Sequence, residues 1–232
     1  MSGPVNYELN ESVATITLDD GKVNVLSPAM QQSINSALDR AEKDAAGAVV
    51  IAGNGRVFSG GFDLGVFNSG DAHAARGMLA GGFELAVRAL TFPRPVIMAA
   101  TGPAIAMGGF LLLSGDHRIG SSKFRAQANE VAIGMTLPIA AIEIMRLRLT
   151  PPAFQRGISL AATFSGDAAV AAGWLDEIVE PDNVLARARE VALEAAGLHA
   201  AAHLASKCKA RDSALKAIRA GIDGLASEFS LG

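Results

Sequence analysis

Residues 58–64 read FSGGFDL, and residues 102–110 read GPAIAMGGF. Both stretches place glycines and small residues where a predicted strand gives way to a predicted helix. At such a junction the first backbone N–H groups of the helix have no partner within it and can point at a ligand oxygen. Two such turns in one chain can therefore supply two N–H donors to one developing oxyanion, which stabilises an enolate or a tetrahedral adduct without a special side chain.

The composition of the 232-residue chain indicates one sizeable core, either as one domain or as a domain with an appendage. The net charge of −3 gives no general reason to expect nucleic acid or an anionic membrane as a partner. A single cysteine, Cys208, excludes an intramolecular disulfide and a cysteine-rich metal site, and the N-terminus carries no signal-peptide pattern. We therefore expect a cytoplasmic protein.

Residues 95–115 carry no charge, and a run of that length could form a membrane helix. Prolines and glycines interrupt the run at positions 95, 102, 103, 108 and 109. Such residues are tolerated in membrane helices, so they do not decide the question alone. The pattern nevertheless favours a buried strand over 95–101, a turn, and a buried helix from Met107, and it predicts no membrane partner.

The order of predicted elements is typical of an α/β protein. Alternation predicts a strand over 13–18, and Ser27 followed by Pro28 predicts the start of a helix. Further strands are predicted over 48–52, 95–101, 116–120 and 123–128, and further helices over 74–90, from Pro181, and over 205–225. The final helices are too short to be stable alone, so we expect them to pack on the core or on a neighbouring subunit.

With both glycine turns placed, the chain resembles the crotonase (enoyl-CoA hydratase/isomerase) superfamily. The motifs that carry the resemblance are 58–64, 102–116 and 129–138, and they occur in the family's order. The resemblance implies a ββα spiral core over 1–180 and a helical C-terminal region over 181–232 that builds homotrimers, often paired into hexamers. It also implies an acyl-CoA thioester as substrate, with CoA as part of that substrate and no separate cofactor.

The resemblance also implies which residues form the site. Members hold the thioester oxygen with two backbone N–H groups, which by motif position fall on Phe62 and Ala106. The glycines of the two turns either serve the ligand or only allow close packing, and the presence of both pairs favours the ligand. The implied substrate-binding residues are Lys22, Gly60, Gly61, Leu64, Gly108 and Phe110, with the acyl tail expected near Phe67, Met78, Leu79 and Phe83.

The reaction depends on two carboxylate positions. Hydratases of this family hold a water between two glutamates; here the first position is Phe110, which cannot accept a proton, and the second is Glu130. One carboxylate suffices for a Δ3,Δ2-enoyl-CoA isomerase, and the family's isomerases have an apolar residue at the first position and an Asn-Glu pair, as in Asn129-Glu130. We therefore expect isomerisation, with apolar neighbours (Phe110, Val131, Ile133 and Met135) raising the pKa of Glu130.

Other interpretations stay open at this stage. A water held by Glu130 alone could support slow hydration, and the chain could be a non-catalytic acyl-CoA binder. Asp63 and Glu84 are the nearest carboxylates that could replace the missing one, although Asp63 suits a helix cap better. His199 and His203 have the i, i+4 spacing of a metal pair but no acidic or cysteine partner in the sequence nearby, so we expect no metal site.

Overall fold

A computed structural model describes residues 3–228. The strands are β1 (Val5–Asn10), β2 (Val13–Leu18), β3 (Ala48–Ala52), β4 (Val96–Ala100), β5 (Ala104–Ile105), β6 (His117–Ser121), β7 (Arg125–Gln127), β8 (Phe164–Ser165) and β9 (Glu177–Val179). The helices are α1 (Pro28–Lys43), α2 (Leu64–Asn68), α3 (Ala72–Thr91), α4 (Met107–Leu113), α5 (Ile139–Arg148), α6 (Pro151–Leu160), α7 (Gly166–Ala172), α8 (Val184–Ala196) and α9 (Ala200–Glu228), with 3₁₀ turns at Val131–Ile133 and Pro181–Asn183.

The strands form two sheets, and the chain passes from one sheet to the other. The larger has the order β1-β2-β3-β4-β6-β9, in which only β1 and β2 are antiparallel, and the smaller has the order β5-β7-β8. Two spiral turns add one strand to each sheet and then a helical segment: β4, β5 and α4 form one turn, and β6, β7 and the 131–133 segment form the next. The chain is thus the α/β spiral that the resemblance implied.

Helices cover both faces of the large sheet. Alternate strand residues such as Ile16, Ile51 and Met98 face the main core, while Val50 and Ile97 face a second cluster closed by α8. Strands β3 and β4 are buried at every position, as expected for parallel strands enclosed between helices. The first helix of the predicted C-terminal region therefore completes the layering of the core.

The first helix forms for the reasons that the sequence predicts. The Ser27 hydroxyl accepts a hydrogen bond from the Met30 amide at 3.2 Å, and Pro28 occupies the first helical position. Ile34 and Leu38 lie on the buried face of this helix. This helix and α3 pack together beneath the sheet.

The last helix, α9, packs on α3 and α5 of its own chain. Its Lys207 ammonium and Arg211 guanidinium donate to the two oxygens of Asp116 at 2.7 and 2.8 Å, and the Val96 amide donates to the same carboxylate. Burial works to raise the pKa of Asp116, but the two cations outweigh it and hold that pKa below its usual value. The helix begins at Ala200 rather than at Ala205, and the proposed role of 181–232 in trimerisation stays a prediction.

Residues 95–115 contain the predicted strand, β4, and the predicted helix, α4, and the short strand β5 lies in the segment predicted as a turn. Within residues 3–228, no helix combines the length and the apolar character that crossing a membrane requires. Several elements escaped the sequence analysis: β1, β5, β8, β9 and the short helices α2, α5, α6 and α7. Most of these are short, and their periodicity is correspondingly weak.

Candidate active site

The two glycine turns meet in the structure. Gly61 has a φ of +93°, and a Cβ there would lie 2.9 Å from the Ile105 carbonyl oxygen and 3.5 Å from the Met107 nitrogen. Ser59 pairs with Ala104, so the strand segment before the first turn runs beside the one before the second. Only glycine suits Gly61, because it needs both the positive φ and the close approach.

The free amides of this junction belong to Phe62 and Met107. The Ala106 N–H donates to the Gln127 carbonyl at 2.9 Å, which continues the pairing of β5 with β7. The expectation that Ala106 supplies a free donor is therefore wrong. Met107 is the first residue of α4, and neither its N–H nor that of Phe62 has an acceptor within the part of the chain that the structure describes.

Ala106 itself adopts an unusual conformation. Its φ of +48° with a ψ of −125° is rare for a residue that carries a Cβ. Such strain, on the order of 1–3 kcal/mol, is found preferentially at functional sites. The twist at Ala106 separates the amide that pairs with β7 from the next amide, that of Met107, at the start of the helix.

An apolar cavity of about 170 Å³ lies against this junction. Predicted site residues make up much of its wall, together with apolar side chains from α3 and from the segment after Glu130. The lining consists of Gly60, Phe62, Leu64, Phe67, Leu79, Phe83, Ala106, Phe110, Asn129, Glu130, Ile133, Met135 and Pro138. Three of the four residues expected near the acyl tail line it, whereas Met78 is buried beneath the wall.

Aromatic rings form one side of the cavity. The Phe62 ring meets Phe67 and Phe83 edge to face, each pair with centroids 6.2 Å apart. Phe83 in turn stacks on Phe110, with centroids 6.3 Å apart and an interplanar angle of 21°. These contacts make the Phe110 side of the cavity fully apolar.

Glu130 is the carboxylate of this cavity. Only 8% of the Glu130 surface is accessible to solvent, and its buried Oε2 has no hydrogen-bond partner among the described residues. Burial raises the pKa of Glu130 to about 7. A carboxylate with a pKa near neutrality suits a group that must both accept and return a proton at physiological pH.

The local backbone holds Glu130 in place. Its carbonyl accepts hydrogen bonds from the Ile133 and Met135 amides, and Gly134, at a φ of +82°, ends the 3₁₀ turn. Ile133 and Met135 line the cavity as expected. Val131 is 44% exposed and does not line it, because the 3₁₀ turn directs that side chain outward.

The carboxylates considered as replacements lie elsewhere. Asp63 caps α2, since its Oδ1 accepts a hydrogen bond from the Gly65 amide at 2.8 Å. Glu84 is exposed on α3 and lies 3.6 Å from Arg219. Neither lines the cavity, so Glu130 is its one carboxylate within residues 3–228.

The remaining predicted residues take separate roles. Gly60 lines the cavity, and its amide donates to the Val23 carbonyl at 2.8 Å, which brings the loop that carries Lys22 beside the first turn. Lys22 is exposed and outside the lining. Gly108 serves close packing, because a Cβ there would lie 2.5 Å from the Ser59 carbonyl oxygen. Leu64 is at the exposed edge of the cavity.

Asn24 has a supporting role that the sequence analysis missed. It is buried at a φ of +54°, and its Nδ2 donates to the carbonyls of Leu18, Val57 and Phe58. The Ser59 hydroxyl donates to the Asn24 carbonyl at 2.7 Å. Asn24 thus fastens the end of β2 to the strand segment that carries the first glycine turn. An asparagine within the turn after a predicted strand is the one signal that could have suggested this role.

The spiral fold, the meeting of the two glycine turns and a cavity whose described lining has one carboxylate define a crotonase-type protein. A family model described as Enoyl-CoA hydratase/isomerase matches residues 8–226. The match spans nearly the whole chain, and the chain belongs to the enoyl-CoA hydratase/isomerase family.

Solved structures and a curated relative agree with this membership. A crystal structure described as a probable enoyl-CoA hydratase from Mycobacterium tuberculosis is 59% identical, with a TM-score of 0.97 and coverage of 98% of this chain and 97% of its own. An apo structure from the same organism, described as an enoyl-CoA isomerase, is 58% identical, with a TM-score of 0.96 and coverage of 99% and 100%. A Thermus thermophilus protein provisionally named enoyl-CoA hydratase is 32% identical over 190 residues, which span 79% of this chain and 74% of its own.

Proposed function

We propose that the protein is a Δ3,Δ2-enoyl-CoA isomerase that uses Glu130 as its single acid–base group. The observation that carries the proposal is the pairing of Glu130 with Phe110: one buried carboxylate faces the cavity, and a phenylalanine occupies the position where the family's hydratases have their other glutamate. A reaction that one base can complete fits this site better than one that needs two.

The proposed substrate is a 3-enoyl-CoA whose thioester oxygen accepts hydrogen bonds from the Phe62 and Met107 amides. As Glu130 removes a proton from C2, electrons move into the thioester and the two amides stabilise the resulting dienolate. The same carboxyl group then returns the proton to C4, and the double bond moves to the 2,3 position. No atom is gained or lost, and Glu130 ends as it began.

The pKa of Glu130 supports this role. A carboxyl with its ordinary pKa would be a weak base toward carbon, whereas a pKa of about 7 leaves Glu130 largely ionised at slightly alkaline pH and more basic when ionised. The apolar lining that raises the pKa also excludes bulk water from the dienolate. Burial therefore both strengthens the base and protects the intermediate.

The CoA part of the substrate is proposed to lie at the open edge of the cavity, near Gly60 and Leu64. The Lys22 loop is held at this edge by the Gly60–Val23 hydrogen bond, so the Lys22 ammonium can reach a phosphate there. An exposed lysine contributes modestly to such a contact. Its replacement should weaken CoA-thioester binding without changing the chemical step.

Hydration is the second candidate, because relatives of this chain carry hydratase names. It would require a water to be activated by Glu130 alone, beside the Phe83–Phe110 stack. The two candidates make different products from different substrates, which allows a direct test. A 3-enoyl-CoA and a 2-enoyl-CoA are incubated separately with the protein, and the products are separated chromatographically.

Conversion of the 3-enoyl-CoA to its 2-enoyl isomer, with little hydration of the 2-enoyl-CoA, is the expected result. Efficient hydration would refute the single-base proposal. Turnover of neither substrate would leave a non-catalytic acyl-CoA binder, which a direct binding measurement would then identify.

We also propose a homotrimer or a hexamer, as the family resemblance implies. Deleting residues 198–232 is not a suitable test of assembly. Helix α9 packs on α3 and α5 of its own chain, so the deletion would expose the core and destabilise the monomer as well. Sedimentation of the intact chain is the suitable test, and a monomer at working concentrations would contradict the proposal.

A further inference from the structure

Gly82 of α3 lies between the side chains of the two proposed oxyanion donors. A Cβ built on Gly82 would lie 2.5 Å from Cε1 of Phe62 and 3.4 Å from Cγ of Met107. The first distance is too short for any side chain to be added without moving the Phe62 ring. Gly82 therefore lets the Phe62 ring pack directly against the backbone of α3, whereas the Met107 side chain would meet an added Cβ at ordinary van der Waals distance.

The Phe62 ring is held on three sides. Besides Gly82, it meets Phe67 at an interplanar angle of 85° and Phe83 at 73°. The preceding residue, Gly61, has a positive φ that an L side chain would not adopt easily. Fixing the ring on one side and the turn on the other restricts the main chain of Phe62, and with it the direction of the Phe62 amide.

Gly82 lies about one turn after Leu79 and directly before Phe83, two cavity residues on the same helix. The helix that forms the apolar wall of the cavity thus also provides, at Gly82, the space in which the Phe62 ring packs. Both functions depend on the same rigid element, which is the arrangement that places reacting groups most accurately.

We infer that Gly82 is a positioning residue for the oxyanion hole: by lacking a side chain, it sets the orientation of the Phe62 amide toward the oxygen that the Met107 amide also contacts. The inference rests on the proposed function of those amides. A misplacement of about 1 Å at such a site can cost on the order of 100-fold in rate, although the residue that causes it touches no substrate.

The test compares Gly82→Ala with a matched change in the same helix, Gly77→Ala. A Cβ on Gly77 would meet nothing within 4 Å, so Gly77→Ala adds the same methyl group without contact. We expect Gly82→Ala to lower kcat for a 3-enoyl-CoA by about 10- to 100-fold while KM changes by less than about threefold. Gly77→Ala should retain the wild-type kinetics.

A compensating change distinguishes positioning from general damage. Phe62→Leu removes the ring atoms that the methyl group added by Gly82→Ala would strike, so the double variant Phe62→Leu/Gly82→Ala should recover most of the lost kcat. Thermal unfolding first verifies that the single variant Gly82→Ala and the double variant are folded. If the folded double variant does not recover kcat, the inference is overturned. If Gly82→Ala does not fold, Phe62→Ala takes its place, because it keeps Gly82 and the amide but removes the seated ring; unchanged kcat in that variant would also overturn the inference.

A binding measurement separates this inference from the proposed reaction. Calorimetry with butyryl-CoA and with its thioether analogue S-butyl-CoA, which lacks the carbonyl oxygen, reports the contact with the two amides. Gly82→Ala should reduce the preference for the thioester by about two- to threefold, in line with the small change in KM, and leave thioether binding unchanged. Equal loss for both ligands would mean that the methyl group merely narrows the cavity, and would overturn the inference. If the wild-type protein prefers the thioester but does not isomerise a 3-enoyl-CoA, the proposed reaction is wrong. The role of Gly82 is then tested by the binding comparison alone.

Discussion

Phe83 stacks on Phe110 with ring centroids 6.3 Å apart, and both rings belong to the wall of the cavity that Glu130 also lines. Both rings are buried, so Phe110 has no room to withdraw in favour of a second polar group. The stack also connects α3 with α4, the helix that begins at the Met107 amide. Phe110, which by family resemblance stands at the first glutamate position, therefore packs beside the helix that carries one of the two proposed oxyanion donors.

Replacing Glu130 with glutamine should abolish isomerisation. The amide cannot accept the C2 proton, and loss of a general base typically costs about 10²- to 10⁴-fold in kcat. CoA-thioester binding should stay nearly unchanged, because the change is close to isosteric. Turnover assays and calorimetry on the same preparation measure the two effects.

Glu84→Gln is the matched control, since Glu84 is exposed on α3 and does not line the cavity. It should retain wild-type kcat. Isomerisation by Glu130→Gln at the rate of Glu84→Gln would eliminate the single-base mechanism.

The activity should depend on pH through the ionisation of Glu130. The base acts as a carboxylate, so kcat/KM should rise with pH through about 7 and level off above it. A profile recorded from about pH 5 to about pH 9 checks this. A profile that is flat across this range would show that no group with the pKa of Glu130 controls the reaction.

The same ionisation should affect stability with the opposite sign. The folded-state pKa of about 7 exceeds the ordinary value of 4.5, so folding favours the protonated form. The stabilisation is complete below the unfolded-state pKa and is lost as pH rises through the folded-state pKa, by on the order of 1–3 kcal/mol. Glu130→Gln, which stays neutral, should therefore raise the unfolding free energy at about pH 8 and change it little at about pH 4.5; urea unfolding at both pH values measures the difference.

Phe110→Glu should introduce measurable hydration of a 2-enoyl-CoA. The change restores a second carboxylate facing Glu130 and gives a water two partners, although it breaks the stack with Phe83 and places like charges together. Phe110→Leu, which breaks the stack without adding a carboxylate, is the control and should not hydrate. Equal hydration by the two variants, or none by a folded Phe110→Glu protein, would refute the assignment of Phe110 to the missing position.

Asn24→Ala should destabilise the protein and lower its activity. The change leaves the buried carbonyls of Leu18, Val57 and Phe58 without this donor, which costs roughly 1–3 kcal/mol per unsatisfied group. Urea unfolding measures the loss, with Asn183→Ala as control because Asn183 is exposed and its side chain makes no capping bond. Equal stability of the two variants would show that Asn24 does not fasten the first turn.

The sequence predicted the parts of the site that depend on local pattern. The strand-to-helix junctions, the glycine turns and the apolar surroundings of Glu130 are all visible within short windows. The position of the second amide was predicted one residue too early, because the Ala106 N–H is taken by Gln127 through β5 and β7, two strands of two and three residues. Pairing between such short strands leaves almost no periodic signal.

Tertiary contacts account for what the sequence left out. Asn24 donates to two carbonyls more than thirty positions away, and the role inferred for Gly82 depends on a ring twenty positions earlier, so the local sequence identifies neither set of partners. The outward direction of Val131 depends on the 3₁₀ turn that Gly134 ends. In each case the fold, rather than the motif, decides which atoms meet.

The most direct test of the single-base account is the ratio of two rates measured on one preparation of the wild-type protein: kcat/KM for isomerisation of a 3-enoyl-CoA over kcat/KM for hydration of the corresponding 2-enoyl-CoA. With Glu130 as the one carboxylate that lines the cavity within residues 3–228, and with Phe110 in the same lining, this ratio should exceed about 100, the lower range of what one acid–base group contributes. A ratio below one would mean that hydration is the principal reaction and would contradict the account.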